Sequence, residues 1–433
     1  MNERMIFLSI VLLSCVLRAQ NPQATWMQYK TPEEAGWSSE KLAEAKQFYD
    51  QLTSAAFLLV FDGNVVIAWG EIERRFMCHS VRKSYLSALY GIHVEEGRIH
   101  LDRALSELGI TERVPLTETE KQARVSDLLK ARSGVYLPAA YETPAMKQAR
   151  PPRGSHGPNT FWYYNNWDFN VLGTVFRQVT GKDIFEEFKT RIAEPLQMED
   201  YRLIDGYYHL EKDTSIHPAY PFKMSARDMA RFGLLYMRDG RWNNSQIVSE
   251  RWIRESTTSY SDTRSGGYGY LWWIAGAEEM PGFYFAQGSG GHVIGVSASE
   301  KLVFVHRVNT YKRKNVPYAQ VRELARKVLA ARVTQPKPNP TLVELAGSSK
   351  QRAIVNLQPM ETEKLLGDYP IDNRMISIRK DQQGLLLKSA ERGTFRLLTL
   401  STTRFLIEDL EDILVVELDQ GGKPLKVQIQ TTD

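Results

Sequence analysis

Apolar and polar positions follow three rhythms along this chain. Leu42, Ala45 and Phe48 recur at helical spacing after Ser38-Ser39-Glu40, so a capped helix starts there. The apolar runs Ala55 to Val60 and Val65 to Gly70 flank Asp62-Gly63-Asn64, which predicts a hairpin. From Ser80 the spacing is helical again. Val81, Tyr85, Leu89 and Ile92 share one face, and Gly97 is a natural stop. Residues 103 to 225 read as mostly helical patches broken by loops such as Pro151-Pro152-Arg153-Gly154. Strand-like runs return at Phe283 to Ala286, His292 to Ala298 and Leu302 to Val308. Val316 to Val333 then forms an amphipathic helix, with Val321, Leu324, Val328 and Leu329 on one side.

Opening strands, a long mainly helical middle and closing strands predict an α+β fold. The first and last strands pair in one antiparallel sheet flanked by helices, and the middle, about 103–225, is an inserted helical subdomain. A cleft between sheet and insert is the natural ligand site. This body spans 26–333, and Pro336-Lys337-Pro338-Asn339-Pro340 marks a linker over 334–359. In 360–433, short alternating runs separated by turn residues at intervals of about ten predict a small all-β barrel or sandwich.

The N-terminus has its own pattern. Met5 to Leu17 is apolar apart from Ser9, Ser14 and Cys15, and it follows Arg4. That run is too short for a hydrocarbon core that takes about 20 residues. Residues 1–19 therefore read as an export signal cut after Ala19, making the protein periplasmic or secreted. Leu12-Leu13-Ser14-Cys15 leaves open a lipoprotein-like alternative with Cys15 acylated, and an uncleaved anchor is the third. No later segment is apolar for long enough to span a membrane.

Composition narrows the classes. The 433 residues carry 55 Lys+Arg against 51 Asp+Glu, with 42% hydrophobic residues, which excludes a disordered chain and leaves no basic footprint for nucleic acid. Only Cys15 and Cys78 could form a disulfide. The eight histidines are scattered, without metal-ligand spacing, so no metal site is expected. Oligomeric state is not legible.

The candidate chemistry begins at Ser80-Val81-Arg82-Lys83. Residues i and i+3 share a helical face, so an amine at Lys83 reaches the Ser80 hydroxyl. At a helix start the Ser80 backbone N–H is free to donate, and the helix dipole disfavours a charged Lys83. Lowering a lysine pKa from about 10.4 toward 7 takes roughly 4 to 5 kcal/mol, which the dipole alone cannot supply and burial in a cleft can. The same tetrad occurs at Ser38/Lys41, where a helix cap explains it, and at Ser377/Lys380, where a strand would point the two residues to opposite faces.

Ser80 to Leu89, continuing through Glu95-Glu96-Gly97-Arg98-Ile99, resembles the active-site helix of the serine β-lactamase/penicillin-binding-protein-like hydrolases. That branch includes class C β-lactamases, D-aminopeptidases, esterases and 6-aminohexanoate-dimer hydrolases. Further stretches follow in the family's order: Val125 to Gly134, Tyr164 to Gly173, Met224 to Gly233 and Tyr268 to Trp273. The resemblance covers about residues 30 to 330 and implies the β-lactamase/transpeptidase-like fold. It implies Ser80 as nucleophile, Lys83 as general base and Tyr164 as proton shuttle, with Asn166 donating a hydrogen bond to the acyl group. Its Tyr-x-Asn motif fits Tyr163/Asn165 as well as Tyr164/Asn166, and the Leu172-Gly173 spacing favours the second register. The small C-terminal β domain resembles those appended to many members.

The chain departs from the family at its third motif. Where β-lactamases carry Lys-Ser/Thr-Gly, the sequence is Ala286-Gln287-Gly288-Ser289-Gly290-Gly291-His292, resembling a Gly-rich variant of esterase-like members. Glycines at Gly288 and Gly290 let a substrate lie against the strand, and the N–H of Ser289 would join that of Ser80 as an oxyanion hole. Losing the cation at Ala286 argues against substrates recognised by a carboxylate. His292 at a strand start is read as structural, and His79, adjacent to Ser80, is not read as its partner. No Gly-x-Ser-x-Gly elbow is present. The expected activity is hydrolysis of a small-molecule ester or amide with no metal or organic cofactor. A β-lactamase or DD-peptidase proper, and a non-catalytic relative that binds cell-wall peptide or glycan, are the alternatives.

Overall fold

A computed structural model describes residues 21–347, 359–371 and 374–432. The candidate export segment and Cys15 lie outside the described residues. Among the described residues no helix is long and apolar enough to cross a membrane, and no His/Cys/Asp/Glu group is arranged to hold a metal ion.

The hairpin forms as Ser54–Phe61 and Asn64–Gly70, joined at Asp62-Gly63, where both residues have positive φ as a tight hairpin turn requires. Leu302–Val308 pairs antiparallel with Ser54–Phe61, so the opening and closing strands meet at the sheet centre as expected. His292–Ser297, Tyr284–Gly288, Trp273–Ala275, Gly266–Tyr268 and Ser261–Thr263 extend the sheet on one side. Met27–Tyr29 and Leu342–Glu344 extend it on the other, giving ten strands. Met27–Tyr29 pairs in parallel with Asn64–Gly70, whereas the other neighbours are antiparallel.

Period-two alternation sorts the central strands between two cores. Phe57, Leu59, Leu302 and Phe304 face the Ser39–Gln51 and Tyr318–Ala330 helices. Leu58, Val60, Val303 and Val305 face the Ala226–Met237 helix and the layer behind it. Both faces are covered, which is why these strands read as continuous apolar runs. Ser38 Oγ accepts the Lys41 N–H at 3.3 Å and caps the first helix, so the first Ser-x-x-Lys is structural. Ser377 and Lys380 lie on the strand Arg374–Asp381, also as expected.

The Arg82–Glu95 helix is buried at every residue from Arg82 to His93, wedged between the sheet layer and the insert. The insert itself is less helical than its pattern suggested. Asn166–Thr180 is its one helix longer than two turns, and Val125–Leu129, Pro144–Ala149 and Ile184–Phe188 are short. Prolines and glycines such as Pro138, Pro151, Pro152 and Gly154 break the rest into irregular backbone packed by side chains.

The proline segment is followed by an element within the stretch read as linker: Leu342–Glu344 pairs with Met27–Tyr29 as the sheet's edge strand. Beyond it, seven antiparallel strands from Gly367–Ile371 to Pro424–Gln430 curl into a nearly closed β domain. Its core holds Ile376, Leu387, Phe395, Phe405, Leu414 and Val427.

Candidate active site

Two short pairings fix the chain entering the site. Phe76–Met77 pairs with Lys223–Met224, and the Cys78 N–H donates to Phe222 O at 2.8 Å. His79–Val81 then makes one tight 3-10 turn that runs directly into the Arg82–Glu95 helix. His79 adopts a left-handed φ of 48°, an uncommon backbone for a non-glycine residue, immediately before Ser80. Ser80 is thereby presented on a turn rather than inside the helix.

Lys83 Nζ lies 2.7 Å from Ser80 Oγ. Lys83 is 1% exposed, and among the described residues no carboxylate comes within ion-pairing distance of it. Its ammonium position stands 4.8 Å from the Phe169 ring centre and 5.0 Å from that of Tyr164. Two effects oppose each other here. Ring faces favour the cation by about 2 kcal/mol or more when desolvated, whereas burying an unpaired ion costs several kcal/mol. Burial wins, and the Arg82 guanidinium adds like-charge repulsion, so the Lys83 pKa falls well below its ordinary value.

Tyr164 is the second partner of Ser80. Its hydroxyl hydrogen-bonds with Ser80, which lowers its pKa, yet burial dominates and raises it to about 12, so it stays protonated at neutral pH. The ring is held against Trp273 (centroids 5.3 Å apart) and Phe169 (4.8 Å). The alternative register is structural: Tyr163 donates to Met146 O, and Asn165 caps the Asn166–Thr180 helix by accepting the Trp167 N–H. Asn166 faces the same cavity as Ser80, but its Nδ2 donates to Tyr141 O at 2.8 Å and its Oδ1 is buried without a partner. The donor expected to meet an acyl group is thus engaged by backbone.

The strand Tyr284–Gly288 reaches the Ser80 turn through Gly288. A Cβ there would stand 2.2 Å from Cys78 O, so only glycine permits this approach. Gly290 follows with φ 92°, and its Cβ would stand 2.4 Å from Thr310 Cγ2. Gln287 and Ser289 line a cavity of about 730 Å³ together with Ser80, Tyr164 and Asn166. Ala286 is buried and supplies no cation. His292 does not replace it: both ring nitrogens are buried without partners, and burial holds its pKa well below the ordinary range. The His79 imidazole hydrogen-bonds with Thr310 Oγ1 at 2.9 Å and stacks near His292, so its partner is not Ser80.

Sequence spacing did not reveal several wall residues. Tyr141, Glu211 and Arg322 line the cavity from three distant segments. Trp273 also lines it, within a motif stretch noted for its order alone. A second hollow of about 620 Å³, between residues Asn21–Met27 and Pro336–Pro340, brings no nucleophile and base together.

A sequence model described as "Beta-lactamase" matches residues 41–327. No curated protein matches the chain. Among solved structures, a "Putative 6-aminohexanoate-dimer hydrolase from Bacillus anthracis" is similar at TM-score 0.53 and 20% identity, over 72% of this chain and 88% of that one. The structure titled "Crystal structure of SurE" is similar at TM-score 0.51 and 16% identity, over 91% of this chain and 97% of that one. At these identities the likeness is one of fold.

Proposed function

The chain belongs to the beta-lactamase family, and on that premise we propose that it hydrolyses a small ester or amide through an acyl-enzyme on Ser80. Membership and the hydrolase neighbour support a serine hydrolase in general. The finer reading rests on one observation: a buried lysine amine with no carboxylate partner among the described residues, 2.7 Å from a serine hydroxyl at a cavity wall.

Neutral Lys83 takes the Ser80 proton as Oγ attacks the carbonyl carbon. The N–H groups of Ser80 and Ser289 face the developing oxyanion, an arrangement supported by the contact of Gly288 with Cys78 that sets the strand beside the turn. As the tetrahedral adduct collapses, the proton held by Lys83 passes to the leaving oxygen or nitrogen, relayed through the protonated Tyr164 hydroxyl. Water then attacks the acyl-enzyme, losing its proton along the same route. The acid leaves, and Ser80 regains its hydrogen. The scheme draws on no metal or organic cofactor.

Charges around the cavity bear on the substrate. Its lining includes two carboxylates, Glu142 and Glu211, and one guanidinium, Arg322, which pairs with Glu279 at 3.5 Å. With Ala286 at the third motif, this favours acyl groups that do not depend on a carboxylate for recognition. A fluorophosphonate probe should label Ser80, and Ser80→Ala should abolish turnover of p-nitrophenyl acetate while the protein stays folded. Labelling of another serine, or no labelling of folded protein, would overturn the assignment in favour of a binding-only role.

A further inference from the structure

We propose that the C-terminal β domain sets the shape of the substrate cavity, by holding in place the wall formed by Tyr141 and Glu211. The proposal rests on Ser80 as the reactive centre and adds a determinant of which acyl groups fit.

Tyr141 is an unusual wall residue. Its φ of 69° is left-handed for a bulky aromatic, so its conformation is held from outside. The Tyr141 N–H donates to Glu211 Oε1 at 2.8 Å, and its carbonyl accepts from Asn166 Nδ2 at 2.8 Å. The His209 ring packs edge-on to the Tyr141 ring at 5.3 Å, and His209 Nε2 is 3.2 Å from the same Glu211 oxygen. The segment Tyr207–Glu211 therefore acts as a splint for Tyr141.

Its own body holds the splint on one side: His209 and Ala219 exchange backbone bonds, the Tyr207 N–H donates to Pro221 O, and Tyr208, with Arg177 over its ring at 4.3 Å, donates to Asp183 and accepts the Ile184 N–H. Tyr207 and His209 point the other way. Its other side rests on the turn after Gly384–Ser389 in the β domain. Tyr207 OH donates to Glu391 O at 2.7 Å, and His209 Nδ1 is 3.2 Å from Ala390 O. Gly393 lies under the Tyr207 ring so closely that a Cβ would stand 2.4 Å from Cδ1, and its φ of 80° disfavours a side chain as well.

The domain is anchored firmly enough to serve as a template. Arg75 is 6% exposed and binds the 8% exposed Asp409 through Nε and Nη2 at 3.0 and 2.8 Å. Lys223 Nζ donates to Thr394 O at 2.6 Å and sits over the Phe395 ring at 4.1 Å. The same Lys223 belongs to the short pairing that leads into Ser80. One rigid neighbour thus buttresses both the entry to the nucleophile turn and the splint behind Tyr141.

The test compares wild type, Gly393→Val and the milder Tyr207→Phe, which removes only the hydroxyl bonded to Glu391 O. Hydrogen exchange at the Tyr141 and His209 amides should speed up by about fivefold or more, the loss expected of one hydrogen bond, while the Arg82–Glu95 amides exchange as in wild type. The ratio of kcat/KM for p-nitrophenyl octanoate to that for the acetate should fall by a similar factor, with Ser80 labelling by a small fluorophosphonate unchanged. Unchanged exchange at Tyr141 in both folded variants overturns the proposal, and so does faster exchange with an unaltered chain-length ratio. Should Gly393→Val fail to fold, Tyr207→Phe alone decides it. Wild-type protein that neither labels nor turns over esters would sink the Ser80 reading, while the exchange comparison still decides whether the β domain holds the wall.

Discussion

Gly288→Ala tests whether the oxyanion donors are set by backbone contact. The added Cβ would sit 2.2 Å from Cys78 O, about 1.2 Å short of the 3.4 Å at which ordinary contact begins. Neither side can yield locally. Cys78 O also accepts the Val81 N–H at 3.2 Å, and the Cys78 N–H is tied to Phe222 O. The strand carrying Gly288 is paired on both edges, to Trp273–Ala275 and His292–Ser297. The clash is therefore relieved by moving Ser289 and the Ser80 turn apart by about 1 Å, a misplacement that costs on the order of 100-fold in rate. Loss of one oxyanion donor, about 3 to 4 kcal/mol, gives the same order. Expected is a kcat for p-nitrophenyl acetate down on the order of 100-fold, KM nearly unchanged, and about 1 to 3 kcal/mol of stability lost to overpacking. Gly157→Ala, whose Cβ meets nothing closer than 4.0 Å, is the control and should be neutral in rate. Folded Gly288→Ala retaining half of the wild-type kcat would refute the argument.

Four other outcomes follow from the structure. Lys83→Met should abolish activity yet raise the melting temperature at neutral pH. Its pKa is lower folded than unfolded, so the unfolded chain binds the extra proton and stability is lost below the ordinary lysine pKa; the variant escapes that loss, and equal or lower stability would contradict a buried neutral amine. Arg82→Gln removes a repelling cation, so the acid limb of kcat/KM should move to higher pH; a shift to lower pH, or none, counts against neutral Lys83 as base. Tyr164→Phe should cut kcat by about 10² to 10⁴ without altering the profile below its pKa of about 12, and a vanished ionisation near neutrality would contradict the protonated phenol. Asp409→Asn should destabilise by about 3 kcal/mol, the low end for a broken buried pair because Glu408 and Asp205 also flank Arg75, as denaturant melting would reveal.

The central sheet was legible because its strands are buried on both faces and run almost without interruption in apolar residues. The C-terminal strands from Met375 onward were legible for the opposite reason, a one-sided core with turns between. Gly367–Ile371 escaped notice since Asp368 and Pro370 interrupt its alternation, and an edge position tolerates both. The insert was over-read as helix because its apolar residues are placed by tertiary contacts rather than by a 3.6-residue period. In the site, Ser80, Lys83 and Tyr164 could be found since ordered motifs carry them. Tyr141, Glu211 and Arg322 could not, because no spacing relates residues that only the folded insert and the Tyr318–Ala330 helix bring together.

The electrostatics around Ser80 have one direction. Arg82 is fully buried, donates to His79 O, and lies over the Tyr141 and Tyr220 rings, with Nε and Nη2 unpartnered. Arg307, behind the turn, donates to Phe76 O at 2.6 Å and also contacts Cys78 Sγ. Each cation is stabilised by carbonyl dipoles and ring faces, which leave its field unneutralised, whereas a carboxylate would cancel it. That field adds to burial in keeping His79 and His292 neutral. Asp168, four residues after Tyr164, is itself pushed toward its neutral form by burial, though Ser133 and Asn165 hydrogen-bond to it. An ionised carboxylate within reach of Lys83 would restore the ammonium and remove the base that the proposed mechanism needs. Keeping two buried arginines that have no carboxylate partner among the described residues costs stability, and in the proposed mechanism that cost maintains the neutral amine beside Ser80.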